Sequence, residues 1–402
     1  MLPARRGSRG QCLLVARCVC WSLIACSAAA AAAACRSDVD CQLAGACTPG
    51  GGCACDVGWR GARCETLDLA PAPFGPAHQA LEQRERASWG GNSVRGGADP
   101  SRWHLFAAEM AAGGLHGFKG ANGSQLVRGE SAAGPAGPFT RREVLHAPLA
   151  HNPQPYAFAN GSVCLFMIAT PFNGNNTDNT TARFPFKLTV GCAPDALGPW
   201  EWVQPLLLGL DGAAIDVDNP SAVFHADGSV TLVTRGIALF RSGGGWRGPY
   251  AMLRADLLPA ADLSEDPFLW RSPRGWHMLL HDHQPFAFHK QAIVHAYTAD
   301  PAGLDGWVFD NTTVAASGTG VRFDDGSTHT FCSRQRPQLS FGAPPDADGL
   351  QAAAPTLLFT GVQHGLLSEK GCGGAGANSS EFNPFFDYSF TFAQPFAQQR
   401  AP

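Results

Sequence analysis

The strongest constraint on the fold is a strand–turn–strand pattern that recurs along the chain at a fixed offset. Its three clearest copies are HNPQPYAFANGSVCLFMIA (151–169), DNPSAVFHADGSVTLVTRG (218–236) and EDPFLWRSPRGWHMLLHD (265–282). Each copy places a polar pair before a proline, then an apolar strand, and then a glycine eight positions after the proline. The turns NGS, DGS and RGW suit a tight hairpin because glycine supplies the positive φ. Each copy therefore predicts two antiparallel strands.

The pattern continues on both sides of these copies. A longer version spans 334–362, and a degenerate version spans 93–110, where WHLFAAE aligns with WHMLLHD of the EDP copy. Five units that share about 315 residues have roughly 63 residues each, enough for a four-stranded sheet. The 47 glycines and 30 prolines fit many short strands and turns. We therefore predict an all-β, five-bladed β-propeller over residues 87–395. A two-sheet sandwich is the alternative, but it does not explain the fixed offset.

The polar pairs before the prolines are the candidate functional residues. In a propeller the first strand of each blade lines the central channel, so these pairs should converge at one mouth. They are His151 with Asn152, Asp218 with Asn219, Glu265 with Asp266, and Gln335 with Arg336. Paired carboxylates can cleave a glycosidic bond, one protonating the leaving oxygen while the other activates water or attacks carbon. The mouth would also present flat rings on which sugars stack, those of Trp89, Tyr156 and Trp270.

These units resemble the five-bladed propellers of glycoside hydrolase families 43 and 32, which cleave arabinans, xylosides and fructans. In family 43 a glutamate two places before a proline is the general acid, and Glu265 in EDP matches that position. The family's pKa-tuning aspartate before a proline corresponds to Asn219, with Asp218 beside it. The first blade offers Asn92, in WGGN, where the family has its general base. The resemblance thus implies an incomplete catalytic set.

The family 32 comparison gives a different assignment for the same segment. EDPFLW is similar to the R-D-P motif of that family, which implies that Asp266 stabilises the transition state. The acid would then fall at Gln335, which cannot donate a proton. The arrangement of a cysteine module before such a propeller also resembles secreted algal proteins.

These observations predict a protein that recognises carbohydrate at the propeller mouth. The candidate catalytic residues are Glu265, Asp218 and Asp266. The candidate substrate-binding residues are Trp89, Asn92, His151, Asn219, Trp270 and Arg336. One hypothesis is hydrolysis of an arabinose-, xylose- or fructose-type glycan. The alternative is a non-catalytic extracellular protein that binds glycans or mediates adhesion, which the incomplete catalytic set and the cysteine module favour.

Three histidines in and directly after the EDP copy raise the question of a metal. Alternation on a strand places His277, His281 and His283 on one face, as zinc sites require. Strand histidines in a glycine-rich β fold are more often hydrogen-bonded spacers, so we predict no metal ligands and no cofactor. The family resemblance allows a single structural cation in the propeller channel.

A cysteine cluster precedes the propeller at 35–64. About 30 residues cannot bury enough apolar surface to fold alone, so disulfides must hold them, and six cysteines allow 15 pairings. C-x-C followed by G-W-x-G-x-x-C resembles the epidermal-growth-factor-like (EGF-like) module. That resemblance implies the pairs Cys35–Cys47, Cys41–Cys53 and Cys55–Cys64. Order and proximity predict two further pairs, Cys164–Cys192 and Cys332–Cys372. Residues 65–86, rich in proline and alanine, are predicted to be a linker.

The N-terminus predicts export from the cytosol. Residues 1–34 combine four arginines and no acids with an apolar, alanine-rich stretch, which indicates a signal peptide; an uncleaved signal anchor is the alternative. The ten cysteines that follow residue 34 form an even set, which fits an oxidising compartment. Six glycosylation sequons are present, at Asn122, Asn160, Asn175, Asn179, Asn311 and Asn378. A net charge of −4 without a basic stripe argues against nucleic acid. We expect a secreted protein whose partners are carbohydrates or glycoproteins, with no membrane contact beyond the N-terminal segment.

Overall fold

The structure, a computed structural model, describes residues 34–74, 79–81, 86–110, 123–147, 149–170, 187–258, 264–282, 292–309, 313–363 and 389–397. These residues belong to one compact unit. Their regular structure is β-strands with short 3-10 turns, arranged as a five-bladed propeller, so the predicted fold class is confirmed. Among the described residues, no helix has the length and apolar character needed to cross a membrane.

The cysteine module consists of one 3-10 turn, Asp38–Cys41, and two small antiparallel hairpins. The first hairpin contains β1 (Gly45–Cys47) and β2 (Cys53–Cys55), and the second contains β3 (Trp59–Arg60) and β4 (Thr66–Leu67). Disulfides join Cys35 to Cys47, Cys41 to Cys53 and Cys55 to Cys64, the pairs that the EGF-like resemblance implies. A short strand, β5 (Gln79–Leu81), follows the module.

The first two blades are four-stranded antiparallel sheets whose strands follow chain order. Blade 1 contains β6 (Ser88–Arg95), β7 (Trp103–Met110), β8 (Ser124–Ser131) and β9 (Thr140–His146). Blade 2 contains β10 (Ala150–Ala157), β11 (Val163–Ala169), β12 (Lys187–Ala193) and β13 (Glu201–Val203). The predicted Cys164–Cys192 disulfide joins β11 to β12 at directly paired positions.

Blades 3 and 4 carry additional strands at their outer edges. Blade 3 contains β14 (Leu207–Leu208), β15 (Ala214–Ile215), β16 (Ser221–Phe224), β17 (Val230–Val233), β18 (Leu239–Ser242) and β19 (Tyr250–Arg254). A 3-10 turn, Arg235–Ile237, connects β17 to β18. Blade 4 contains β20 (Ser264–Ser272), β21 (Gly275–Asp282), β22 (Ala292–Thr298), β23 (Val308–Phe309) and β24 (Ala316–Ser317).

Blade 5 closes the propeller with a strand from the other end of the chain. A separate hairpin, β25 (Val321–Arg322) and β26 (Thr328–His329), precedes it. The blade contains β27 (Ser333–Phe341), β28 (Pro355–Gln363) and β29 (Ser389–Pro395), and its fourth strand is β5. Part of the segment that we predicted as a linker therefore belongs to the last sheet.

The apolar core lies between neighbouring blades. Successive side chains of a strand point to opposite faces, so a strand covered on both faces is apolar throughout. All seven residues of β11 are buried, for example. Phe166 of β11 packs in one cluster with Phe240 of β18, and Val233 of β17 packs in another with Met278 of β21. The turn glycines Gly161 and Gly228 have φ of 90° and 81°, as the repeat predicts.

The cysteine module packs directly against blade 4. Trp59 and Cys64 lie in one buried cluster with Phe268 of β20 and Leu279 of β21. The same contact contains ion pairs from Arg274, in the β20–β21 turn, to Asp38 at 2.7 Å and to Asp56 at 3.0 Å. The module is therefore part of the propeller's own core.

A buried pair of histidines lies within this contact. His277 Nδ1 and His295 Nε2 are 3.0 Å apart, and His295 Nδ1 is 3.2 Å from Gln42 Oε1 of the module. The Trp59 ring lies 4.6 Å from the His295 ring, and the Trp270 ring stacks on His277 at 4.9 Å. The pair is enclosed by aromatic rings from both the module and the blade.

The predicted glycosylation sites and the predicted Cys332–Cys372 disulfide lie only partly within the described residues. Asn160 is exposed in the β10–β11 turn, where its Oδ1 accepts hydrogen bonds from Ser162. Cys332 is disulfide-bonded, and its predicted partner, Cys372, lies outside the described residues. Outside them also lie five of the sequon asparagines, Asn122, Asn175, Asn179, Asn311 and Asn378.

Candidate functional site

The first strand of a blade is bent at the position of the polar pair. The register of the inner hairpin shifts in four blades, between Trp89 and Asn92, His151 and Gln154, Glu265 and Phe268, and Gln335 and Gln338. The residue before the proline has a left-handed backbone in blades 2 to 5, with φ of 57° at Asn152, 50° at Asn219, 59° at Asp266 and 59° at Arg336. Such bulges redirect side chains. The side chains of the two residues in a pair therefore point to different parts of the structure.

The pre-proline residues of blades 2 to 5 are joined in series by hydrogen bonds, and together with Gly90 of blade 1 we call them the axial ring: Asn152, Asn219, Asp266 and Arg336. Asn152 Nδ2 donates to Asn219 Oδ1, and Asn219 Nδ2 donates to Asp266 Oδ1 at 2.8 Å. Arg336 donates to Asp266 through Nη1 at 2.9 Å and through its backbone N–H at 3.2 Å. All four side chains are buried.

Gly90 completes the ring because it leaves room for Arg336. Its φ is 60°, and a Cβ added there would lie 3.1 Å from Arg336 Cβ. The ring accounts for three predicted site residues. Asn219 and Arg336 both donate to Asp266 across blades, which withdraws all three side chains from the solvent-facing mouth.

The environment of Asp266 is that of a buried ion pair. Burial raises the pKa of the Asp266 carboxyl; the Arg336 guanidinium opposes this rise, and the charge of Glu265 adds to it. The position of the Arg336 guanidinium is also relevant to the structural cation that the family resemblance allows in the propeller channel. Ligand atoms of Glu265, Asp266 and His281 lie within 4.8 Å of one another. Asp266 Oδ1 accepts hydrogen bonds from the guanidinium and from Asn219, so the charge of this carboxylate is already balanced by a protein cation.

The carboxylates that remain at the mouth are Asp218 and Glu265, on neighbouring blades. Their side chains are 38% and 16% exposed. Arg235 lies between them, with Nη1 3.8 Å from Asp218 Oδ2 and Nε 3.5 Å from Glu265 Oε2. His281 is buried behind Glu265, and its Nδ1 lies 3.5 Å from Glu265 Oε1. We call these four residues the mouth cluster.

Arg235 belongs to the site although we did not predict it. It begins the 3-10 turn after β17, and its backbone N–H donates to the Asp218 carbonyl at 2.9 Å. In the EDP copy the corresponding end of the hairpin carries His281, which pairs directly with Glu265 in the sheet register. The repeat contains the signal, because in both copies a basic residue at this end of the hairpin lies opposite the first member of the polar pair.

The predicted sugar-stacking rings are not at the surface. Trp89 is buried in a cluster with Ala87, Ala108 and Met110. Trp270 lies in the module–blade 4 contact, stacked on His277. A neighbouring element covers each ring. Blade 5 covers Trp89, which lies against Gly361, and the cysteine module covers Trp270. Neither ring offers a face to a ligand in this structure.

Tyr156 is also engaged in packing. Its ring is 4.8 Å from that of Phe224 in blade 3, and burial raises the pKa of its hydroxyl. The ring therefore contributes to the contact between blades 2 and 3.

Asn92 and His151 are buried as well. Asn92 Nδ2 donates to the Leu339 carbonyl at 2.9 Å, and Asn92 Oδ1 accepts from Ser340 Oγ at 2.6 Å, which ties blade 1 to blade 5. Its side chain lies beyond the bulge, so it does not occupy the position of a general base at the mouth. The first strand of blade 1, SWGGNSVR, contains no acid.

His277 and His281, which strand alternation predicts on one face, lie in different surroundings. His277 bonds to His295 beneath the cysteine module, whereas His281 contacts Glu265 at the mouth. His283 lies outside the described residues.

Comparisons with known proteins agree with this fold. No protein-family model and no curated protein sequence matches the chain. Among solved structures, an α-L-arabinofuranosidase from Podospora anserina in complex with cellotriose is 13% identical with a TM-score of 0.50, covering 83% of this chain and 96% of that one. A glycosyl hydrolase from Bacteroides ovatus is 8% identical with a TM-score of 0.50, covering 86% and 95%. The chain thus has the five-bladed propeller fold of glycoside hydrolases.

Proposed function

We propose that this protein binds a carbohydrate at the propeller mouth and hydrolyses a glycosidic bond there. The observation that carries the proposal is the mouth cluster, in which two partly exposed carboxylates from adjacent blades meet at one guanidinium. Glycosidic cleavage needs two carboxyl groups on one ligand site. The solved arabinofuranosidase with this fold holds cellotriose, which supports a carbohydrate ligand.

The two carboxylates would have different roles. Glu265 is the less exposed and lies against His281, so it is the candidate proton donor to the leaving oxygen. Asp218 is more open to solvent and is the candidate for activating water or attacking carbon. Asp266 acts through the axial ring as a positioning residue. Arabinose-, xylose- and fructose-type glycans are the proposed substrates.

The test is a screen of the purified full chain against arabinan, xylan, fructan and nitrophenyl glycosides. Glu265→Gln and Asp218→Asn are each expected to lower kcat by roughly 10²- to 10⁴-fold, because each removes a group that transfers a proton or attacks carbon. Asp216→Asn is the matched control, since Asp216 is an equally exposed acid nearby that pairs with Lys187. Undiminished turnover in Glu265→Gln would exclude Glu265 from the mechanism.

A second candidate is glycan binding without hydrolysis. It is favoured by blade 1, whose first strand has Gly90 at the ring position and no acid that could replace the missing base. In this case no substrate is turned over, while binding on a glycan array is retained in Glu265→Gln. Absence of both turnover and glycan binding would contradict both candidates.

We also propose that the protein is secreted. Disulfides in both the module and blade 2 support folding in an oxidising compartment. Cleavage of residues 1–34 would be recognised by sequencing the N-terminus of protein recovered from the medium.

A further inference from the structure

Blade 5 contains a buried arginine that none of the preceding roles uses. Arg334, on β27, is 1% exposed. Its Nη1 donates to the Ser317 carbonyl at 2.8 Å, and its Nη2 donates to Gln394 Oε1 at 2.9 Å. The guanidinium carbon lies 5.6 Å from the centre of the Phe392 ring. The groups that accept from its two terminal nitrogens are thus neutral.

Among the described residues, no acid forms a hydrogen bond or ion pair that balances the charge of this guanidinium. Its Nη1 and Nη2 contact a carbonyl and an amide, and its Nε–H has no acceptor in the part of the chain that the structure describes. The phenyl rings of Phe331, Phe390 and Phe392 line the same cluster and offer no negative group. Burial lowers the pKa of Arg334 to about 9, so the side chain still carries its charge at neutral pH. A buried cation without a counter-charge is strongly destabilising.

A second buried polar group lies on the same face of the sheet. Arg334 pairs in register with Val362, and Thr360, two residues along β28, points to the same face. The guanidinium passes over the row of Thr360 and Phe392, because it reaches Gln394 in the next row. Thr360 Oγ1 is fully buried and has no partner among the described residues. Two donors, Arg334 Nε–H and Thr360 Oγ–H, thus lie on one face of the blade 5 sheet, and neither has a partner among the described residues.

We propose that Arg334 and Thr360 bind a small inorganic anion, chloride, inside blade 5. One anion would accept a hydrogen bond from each donor and balance the buried charge. The site lies beside Ser317, which belongs to blade 4, so an anion there would strengthen the contact between the last two blades. The ligand class follows from the two donors, since both need an acceptor and one of them belongs to a positively charged group.

The test measures the thermal stability of the full chain during a chloride titration at constant ionic strength, with gluconate as the replacement anion. The Tm is expected to rise with chloride and then to saturate, as for any ligand that binds only the folded state. Thr360→Val keeps the side-chain volume and removes one donor, and it is expected to raise the half-maximal chloride concentration roughly fivefold. Crystals soaked in bromide should show an anomalous peak between Arg334 Nε and Thr360 Oγ1.

Two further variants complete the test. Arg334→Met is expected to abolish the chloride response, whatever its own stability. Arg322→Met, at an exposed arginine that precedes blade 5, is the matched control and should respond as the wild type does. Equal Tm values in chloride and gluconate, or a water molecule at the position of the expected bromide peak, would overturn the proposal. Neither result depends on the proposed hydrolase activity.

Discussion

Asp266 and Arg336 show how a single backbone angle decides the role of a side chain. Both residues have left-handed φ, so their side chains meet at the axis instead of facing solvent. The adjacent Glu265 and Gln335 keep the more exposed positions of their pairs. Of these two carboxylates, which are adjacent in the sequence, Asp266 therefore has a structural role and Glu265 remains available for chemistry.

This division predicts opposite phenotypes for two neighbouring substitutions. Asp266→Asn should lower the free energy of unfolding by about 3 to 5 kcal/mol, because it leaves Arg336 as an unpaired buried charge. Glu265→Gln should change stability little, since Glu265 is partly exposed. Urea denaturation of both variants measures the difference.

A double variant separates charge from packing at the ring. Asp266→Asn combined with Arg336→Met removes both charges and should recover part of the lost stability. If Asp266→Asn alone unfolded at the same urea concentration as the wild type, the axial ring would not stabilise the propeller.

The contact between the cysteine module and blade 4 is sensitive to acid. Burial lowers the pKa of His277 to about 3, and burial together with His277 lowers that of His295 well below its ordinary value. Between about pH 6.5 and the depressed pKa, the unfolded chain binds protons that the folded chain excludes. The contribution of these two histidines to the free energy of unfolding therefore falls as pH falls below 6.5, and it is largest above that value.

We expect this pair to account for a measurable part of the acid sensitivity. Each such histidine contributes up to about 1.4 kcal/mol per pH unit. His277→Gln should therefore reduce the slope of the unfolding free energy between pH 6 and 4 by about that amount. Equal slopes in the variant and the wild type would show that the His277–His295 pair is protonated without cost.

Closure of the propeller depends on the segment that precedes blade 1. β5 supplies the fourth strand of blade 5, and the module covers Phe268 and Trp270 of blade 4. The module and the propeller should therefore unfold together as one cooperative unit. Arg274 adds two ion pairs to the same contact.

This arrangement predicts different results for two truncations. Removal of residues 1–34, the predicted signal segment, should leave the Tm unchanged, since a cleaved signal peptide is not part of the folded protein. Removal of residues 1–86 should lower the Tm strongly and increase binding of a hydrophobic dye, because it exposes the covered face of blade 4 and opens blade 5. A truncated propeller with the Tm of the full chain would contradict cooperative folding.

Local patterns in the sequence predict much of this architecture. The proline-to-glycine offset determines hairpins such as β10–β11, because turn geometry and strand alternation act over a few residues. Five such units predict a propeller, and the resemblance of the cysteine segment to the EGF-like module implies its disulfides. These features depend on neighbours in the chain, so they can be recognised before any tertiary contact is known.

The composition of the site depends on contacts that local patterns do not contain. The bulge sends Asp266 to the axis and leaves Glu265 at the mouth, although both residues follow the same motif. Trp270 is buried because a module more than 200 residues earlier in the chain packs on it, and Arg235 joins Glu265 from another blade. The repeat determines where side chains can converge, whereas packing between distant segments determines which of them meet, because burial and charge pairing arise only when the blades close.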